Sequence, residues 1–310
     1  MITGLNASNN QFVTQVDLMQ TALNKAENQL SSGYRVNQAS DAPAEVEDIF
    51  VARAALASQN QTIQNLKSVQ TTVQAGDTAV QNAVQLLQNA LTLGAQGASS
   101  TVTQAQRNSL ATQVQSVLSQ LVGVTATQVN GVYIFSGDAG GSPPYQVDSS
   151  SPTGVDQLVT SPSTAQIADP TGVTFQTSLT AQQIFDPRDS SNNPTAQNSF
   201  AALTNLQVAL QNGDLTGINN AISSIKSASD YVNQQLGFYG AAENRITAAL
   251  SIAQKYQVQT QTQLSNLEDT DVTAVAVQVT QETTALNAAM AAQAKRPTST
   301  LFDYLPSTLG

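Results

Sequence analysis

Residues 215–267 read LTGINNAISSIKSASDYVNQQLGFYGAAENRITAALSIAQKYQVQTQTQLSNL, and this stretch decides the fold. Ile218, Ile222, Ile225, Val232, Leu236, Tyr239, Ile246, Leu250, Ala253, Leu264 and Leu267 keep heptad register along it, the spacing that holds one stripe of a helix against a partner. At 1.5 Å per residue such a helix is roughly 75 Å long. Its narrow stripe needs an equally long, antiparallel neighbour to cover it.

Working outward, Glu268-Asp269-Thr270-Asp271 breaks the register and offers a cap for a last helix. That helix is seamed by Val272, Val275, Val279, Leu286 and Met290 and ends before Pro297. On the other side, Phe200, Leu203, Leu206 and Leu210 predict a short helix closed at Gly213. Residues 138–199 carry most of the prolines, and stretches such as Val173-Thr174-Phe175 are bounded by turn residues. The pattern predicts a small β-rich or loop-rich insertion, entered through the β-prone run Val132-Tyr133-Ile134-Phe135.

The N-terminal flank repeats the helical theme. Leu5, Phe12, Val16, Met19, Leu23, Ala26 and Leu30 step by sevens, fours and threes until Ser31-Ser32-Gly33 stops them. Asp41-Ala42-Pro43 predicts a restart, with Asp41 as N-cap and Pro43 in the first turn. The second helix is expected from Pro43 towards Leu93, with a turn at Gly94, Gly97 and Ser99-Ser100, and the third carries Leu110, Val114, Val117, Leu121 and Val124. The expected fold class is mainly α: a long antiparallel helical rod with coiled-coil terminal helices and a small β-rich insertion domain. Residues 1–40 would pair with 270–310, residues 41–137 and 200–269 would form the rod, and 138–199 the insertion.

Composition excludes several function classes. Eleven Lys and Arg against 21 acidic residues give a net charge of −10, which repels phosphate backbones and anionic lipid. Nucleic acid and membrane are therefore poor partners, and no apolar run is long enough to span a bilayer. No Cys, His or Trp is present, which removes disulfides, thiolate and histidine metal sites and histidine-based triads. No motif supports an enzyme or calls for a cofactor. Gly137, Gly140 and Gly141 lack the Lys-Ser/Thr pair of a phosphate loop. The start Met1-Ile2-Thr3-Gly4-Leu5-Asn6 lacks the charged and apolar regions of a cleaved leader.

The terminal helices each present one apolar stripe. Burying a Leu or Val gains only ~1.5–3 kcal/mol, and ordering each residue costs ~1–2 kcal/mol of backbone entropy. A two-helix tip of this kind is marginal in a monomer, and neighbouring copies can supply the missing surface. The candidate assembly interface is Leu5, Phe12, Val16, Met19, Leu23, Leu30, Val272, Val275, Val279, Leu286, Met290, Leu301, Phe302 and Leu305. The competing reading is that both termini complete one closed bundle.

Leu30-Ser31-Ser32-Gly33-Tyr34-Arg35-Val36-Asn37 followed by Ser40-Asp41-Ala42-Pro43 resembles the N-terminal signature of the flagellin superfamily, with Ala42 where a second acid is usual. Gly240-Ala241-Ala242-Glu243-Asn244-Arg245 and Leu267-Glu268-Asp269-Thr270-Asp271 are similar to its C-terminal elements. Within the superfamily, Gly131-Val132-Tyr133-Ile134-Phe135-Ser136-Gly137, Pro143-Pro144-Tyr145 and the tail Leu301-Phe302-Asp303-Tyr304-Leu305 resemble the hook-associated protein 3 family. The motif residues so marked are Ser32, Gly33, Arg35, Asn37, Asp41, Asn244, Arg245, Glu268, Asp269 and Asp271.

The resemblance implies a structural subunit of the bacterial flagellum, exported without leader cleavage and extracellular. It would form a ring or helical layer between hook-associated protein 1 and flagellin, with an export chaperone as a further partner. A flagellin is the alternative; a coiled-coil adhesin or sensor stalk is a distant one. Two charge arrangements are expected: an Arg35–Asp41 ion pair or an exposed pair of little value, and Glu268, Asp269 and Asp271 as a helix cap rather than a cation site. Arg245 is expected to bridge helices.

Overall fold

The structure, a computed structural model, describes residues 2–295, with side chains from Asn9 onward. Leu5, Leu301, Phe302 and Leu305 of the candidate interface lie outside the described side chains. The chain is mainly helical, with long helices packing antiparallel and a small region of β-hairpins. The long elements are α1 (Ile2–Ser32), α2 (Val46–Gly97), α3 (Gln104–Thr125), α5 (Ser199–Asn212), α6 (Leu215–Glu268) and α7 (Val272–Ala294). The hairpins are β1 (Gln128–Val129) with β2 (Val132–Tyr133), β3 (Tyr145–Val147) with β4 (Val155–Gln157), and β5 (Gln166–Ala168) with β6 (Thr174–Gln176), all antiparallel. A short α4 (Ala181–Phe185) follows them.

Two compact units form. One is Met1–Ser58 together with Gln257–Gly310; the other is Gln59–Tyr256. The second holds the main core. The 54 residues of α6 run without a break, as the heptad seam predicts, and Val80, Leu87, Ile218, Ile225, Val232 and Ile246 are buried along the α2 and α6 seams. α3 and α5 pack on each other and add Val114, Leu121, Leu203, Leu206 and Leu210. Local chemistry sets their ends: Thr103 and Gln106 form a capping box on α3, and Gly213 closes α5 in the left-handed conformation at φ 65°.

The insertion is knit to this core by aromatic rings. Phe135, Phe185, Phe200 and Tyr145 stack at centroid distances of 5.0–6.5 Å, around a buried polar node. In that node the fully buried Asp186 accepts from Tyr145 Oη (2.8 Å), Arg188 Nε (2.9 Å) and Asn198 Nδ2. Burial, reinforced by the Asp186 carboxylate, pushes the Tyr145 hydroxyl far above its usual range, so it remains a donor.

Three boundaries differ from the sequence expectation. α2 begins at Val46, because the Asp41 carboxylate caps the N–H groups of Asn37 and Gln38 instead of a helix. α2 also runs through Gly94 to Gly97. A Cβ at Gly94 would lie 2.8 Å from Ile222 Cγ1, so this glycine permits close helix packing and does not mark a turn. Of the run Val132–Phe135 only the first two residues are strand; Ile134 and Phe135 leave it to enter the core.

The first unit is thinner. α1 and α7 pack together, and the start of α2 lies along the end of α6 through Ile49, Ala52 and Leu264. Among its described residues the buried hydrophobic ones are Leu23, Ala26, Ile49, Ala52, Leu264 and Val275. Its exposed ones include Val13, Leu18, Phe50, Val51, Val258, Val272, Val277 and Met290, each more than half exposed. Among the described residues no helix is long and apolar enough to cross a membrane.

Candidate functional site

Two breaks in helical order, far apart in sequence, close on each other inside the first unit. At the first, Gly33 takes φ 76°, a conformation that favours glycine, and its N–H still bonds to Gln29 O (2.9 Å). At the second, α6 stops at Glu268 and α7 starts after Asp271. A short antiparallel bridge joins them: Arg35 N–H donates to Glu268 O (2.6 Å), Thr270 N–H donates to Gly33 O (2.9 Å), and Tyr34 pairs with Asp269. The carbonyl and amide groups that both helix ends leave orphaned are thus satisfied by each other.

Charged side chains lock this junction. Arg53 donates from Nε (3.0 Å) and Nη2 (2.6 Å) to one oxygen of Glu268, whose side chain is only 7% exposed while that of Arg53 is 51% exposed. The guanidinium stays hydrated and the carboxylate is sheltered, so the desolvation cost falls mainly on one partner. Arg35 reaches Leu267 O with Nη2 (2.6 Å) and pairs with Glu45, not with Asp41 as the sequence suggested. Asp41 instead takes Lys25 Nζ at 3.2 Å. The backbone N–H of Gln38 beside it, aided by Lys25, holds the Asp41 carboxyl below the usual carboxylate range.

The structure thus brings together Ser32, Gly33, Arg35, Asn37, Asp41, Glu268, Asp269 and Asp271. Ser32 Oγ accepts from Tyr34 N–H (3.1 Å), and Asn37 Nδ2 donates to Tyr34 O (2.9 Å). The acidic trio is committed to protein donors. Glu268 serves Arg53, Asp269 accepts from Ser265 Oγ, and Asp271 caps α7 through the N–H groups of Thr273 (2.9 Å) and Ala274 (3.1 Å). Among the described residues no three His, Cys, Asp or Glu side chains gather to hold a metal ion. Asn244 and Arg245 lie elsewhere, in the second unit. Arg245 does not bridge helices; its guanidinium sits 4.6 Å from the centroid of the Phe175 ring on β6.

Lys25, Glu45 and Arg53 were not singled out from sequence. Charges on or beside a helix read as a solvated face, and Arg53 meets its partner 215 residues away. The signal available was scarcity: three of only 11 basic residues fall between positions 25 and 53.

Of the candidate interface, Leu23 and Val275 are buried, Phe12, Val16, Met19, Val279 and Leu286 are half-buried, and Leu30, Val272 and Met290 are exposed. Val13, Leu18 and Val277 lie off the heptad seam and add exposed apolar surface that the seam alone does not reveal. Chemically the junction is a staple of hydrogen bonds and ion pairs at the root of two helices.

Comparison with known proteins bears on this geometry. Residues 4–139 match the model of the bacterial flagellin N-terminal helical region. No curated protein matches the chain. Among solved structures, the fold is similar to that of a Vibrio parahaemolyticus chain named as a flagellar hook-associated protein. That match has a TM-score of 0.63 and 17% identity, covering 74% of this chain and 100% of that one. It is similar also to the flagellar hook-associated protein-3 of Legionella pneumophila (TM-score 0.60, 13% identity, 71% and 98% covered) and to FlgL of Xanthomonas campestris (0.58, 14%, 70% and 99%). The match to the bacterial flagellin N-terminal helical region takes in most of α1, the Gly33 break, α2 and α3, and so holds the first of the two segments that meet at the junction.

Proposed function

We propose that this chain is a structural subunit of the bacterial flagellum that joins the hook-associated zone to the filament. One observation carries the reading. The two signature segments staple together at the root of α1 and α7, while the helix pair they launch leaves much of its apolar surface in solvent. A helix pair so held but so thinly packed is suited to completing its burial against neighbouring copies, which couples the ordering of the ends to assembly. The fold shared with solved hook-associated protein 3 chains supports the junction role over that of filament subunit.

In this reading residues 1–40 and 270–310 form the assembly tip, 41–137 and 200–269 the rod, and 138–199 an outward insertion. An extracellular flagellar location and contacts with hook-associated protein 1, flagellin and an export chaperone belong to the same proposal. The function is mechanical, one lattice adapted to another, with no catalytic step and no cofactor.

Seeded polymerisation tests it. Purified protein added to hooks bearing hook-associated protein 1 should permit flagellin to grow, and should form no long filament alone when viewed by negative-stain electron microscopy. Long filaments of this chain by itself would make it a flagellin. Monomers that support no growth and whose termini resist protease would favour the closed bundle.

A further inference from the structure

We infer that residues 177–198 act as a lock that fixes the insertion to the helices of the second unit in a single orientation. The insertion's own strands cannot do this. β3 to β6 make two hairpins of three residues per strand, and among the described residues no sheet joins the two. Hairpins of that size are marginal alone. The chain enters them through Gly137, Gly140 and Gly141, residues that restrain the backbone least. The rings of Phe135, Tyr145, Phe185 and Phe200 hold the insertion on, but apolar burial is non-directional and does not choose one orientation.

Directional bonds come from the segment around α4, and along it they alternate between hairpins and helices. Thr177 N–H donates to Ala165 O (2.9 Å) at the base of β5–β6. The Leu179 backbone lies against the hydroxyl of the buried Tyr239 on α6. Ala181 N–H donates to Phe135 O (2.8 Å), and Gln182 Oε1 accepts from Gln157 Nε2 on β4 (3.1 Å). Gln183 O then accepts from Tyr231 Oη, again on α6 (2.9 Å). Asp186 ties Tyr145 of β3 to Asn198, the N-cap of α5. A capping box of Thr180 and Gln183 holds α4 in shape between these bonds. Any shift of the insertion would strip donors from the fully buried Asp186, so the network admits one arrangement. The insertion is therefore a bracket and not an arm swinging on its glycine-rich entry. A fixed bracket suits a subunit that carries load; that purpose rests on the proposed structural role, whereas the lock itself does not.

The chain has no cysteine, so two introduced thiols can carry spin labels without background. Ser149→Cys, exposed in the β3–β4 turn, and Lys67→Cys, exposed on α2, place one label on each side of the lock. Pulsed electron–electron resonance of the full chain should give one narrow distance distribution. Adding Tyr145→Phe and Gln182→Ala removes both ties to this hairpin and spares the aromatic rings. The distribution should then widen several-fold at unchanged helix content by circular dichroism. A broad or two-peaked distribution before these substitutions would overturn the proposal, and so would one that stays narrow after them with helix content intact. Should the double variant lose helix content, Tyr231→Phe decides, because its half-exposed hydroxyl can be removed without emptying the core. Widening there supports the lock, and an unchanged width sinks it. Labels and substitutions all lie in the second unit and leave both termini intact, so failure here leaves the assembly reading standing.

Discussion

At the residue scale the junction turns on Glu268. Its carboxylate is nearly enclosed and takes both its hydrogen bonds from Arg53. Arg53→Ala should destabilise the first unit by about 1–3 kcal/mol, towards the lower end because half of the arginine side chain is in water. Arg53→Lys should recover only part, since an ammonium lacks the fork that makes both bonds. Hydrogen exchange at the end of α6 reads either change. Asp41 adds a pH dependence. Its folded pKa lies below the unfolded value of 3.8, so its contribution is present above that value and is lost as pH falls through the folded one. Protease cleavage near residues 33–45 should rise below about pH 4, and Asp41→Asn should show the higher rate already at neutral pH. Gly76 reverses a rule. Alanine in place of a mid-helix glycine usually gains about 0.5–1 kcal/mol, but here the new Cβ would lie 2.5 Å from Cε1 of the buried Tyr239. Gly76→Ala should therefore cost about 1–3 kcal/mol in urea unfolding.

At the element scale, what the sequence made legible is what periodicity and capping encode. The seam from Ile218 to Leu267 gives α6, Gly33 ends α1, and Asp271 caps α7. What it hid is what depends on a distant partner. Gly94 reads as punctuation until Ile222 is seen against it. The three hairpins are too short for alternation to show, and Glu45, in the turn before α2, and Arg53 on α2 carry no local mark. The motif residues around Gly33 and Asp269 could be named from the resemblance and the pairing of the chain's two ends expected, but not the backbone bridge and the Arg53–Glu268 pair that join them. The α1–α7 pair yields a contrast that separates packing within the chain from packing between copies. Leu23 is buried in the isolated chain, so Leu23→Ala should cost about 2–3 kcal/mol there. Val279 is half-buried and Val277 exposed, so serine at both should change monomer stability by less than about 1 kcal/mol. The same pair should block assembly in the hook assay if α7 is an interface. Normal assembly of the serine variant would place the contact elsewhere.

At the scale of the whole molecule, the distribution of buried surface sets how the chain comes apart. The second unit holds the aromatic cluster, the Asp186 node and the long run of buried residues along α2, α3, α5 and α6. Among the described residues the first has six buried hydrophobic ones, two of them alanine, and relies on its junction for the rest. Units so unequal should not unfold as one. Scanning calorimetry of the monomer should show two transitions, the lower one shifted down by Arg53→Ala and untouched by Gly76→Ala, the upper one the reverse. The two units share α2 and α6, so melting of the first should fray those helices only as far as the neighbourhood of residues 58 and 257. Exchange at Leu66 and Ala249 should persist until the upper transition. If assembly supplies the missing burial, the lower transition should move up towards the upper one in the polymer, because anything that binds only the folded ends stabilises them by mass action. A single transition in the monomer, shifted equally by both substitutions, would mean that the thin unit is already as stable as the thick one. The coupling of folding to assembly would then have nothing to act on.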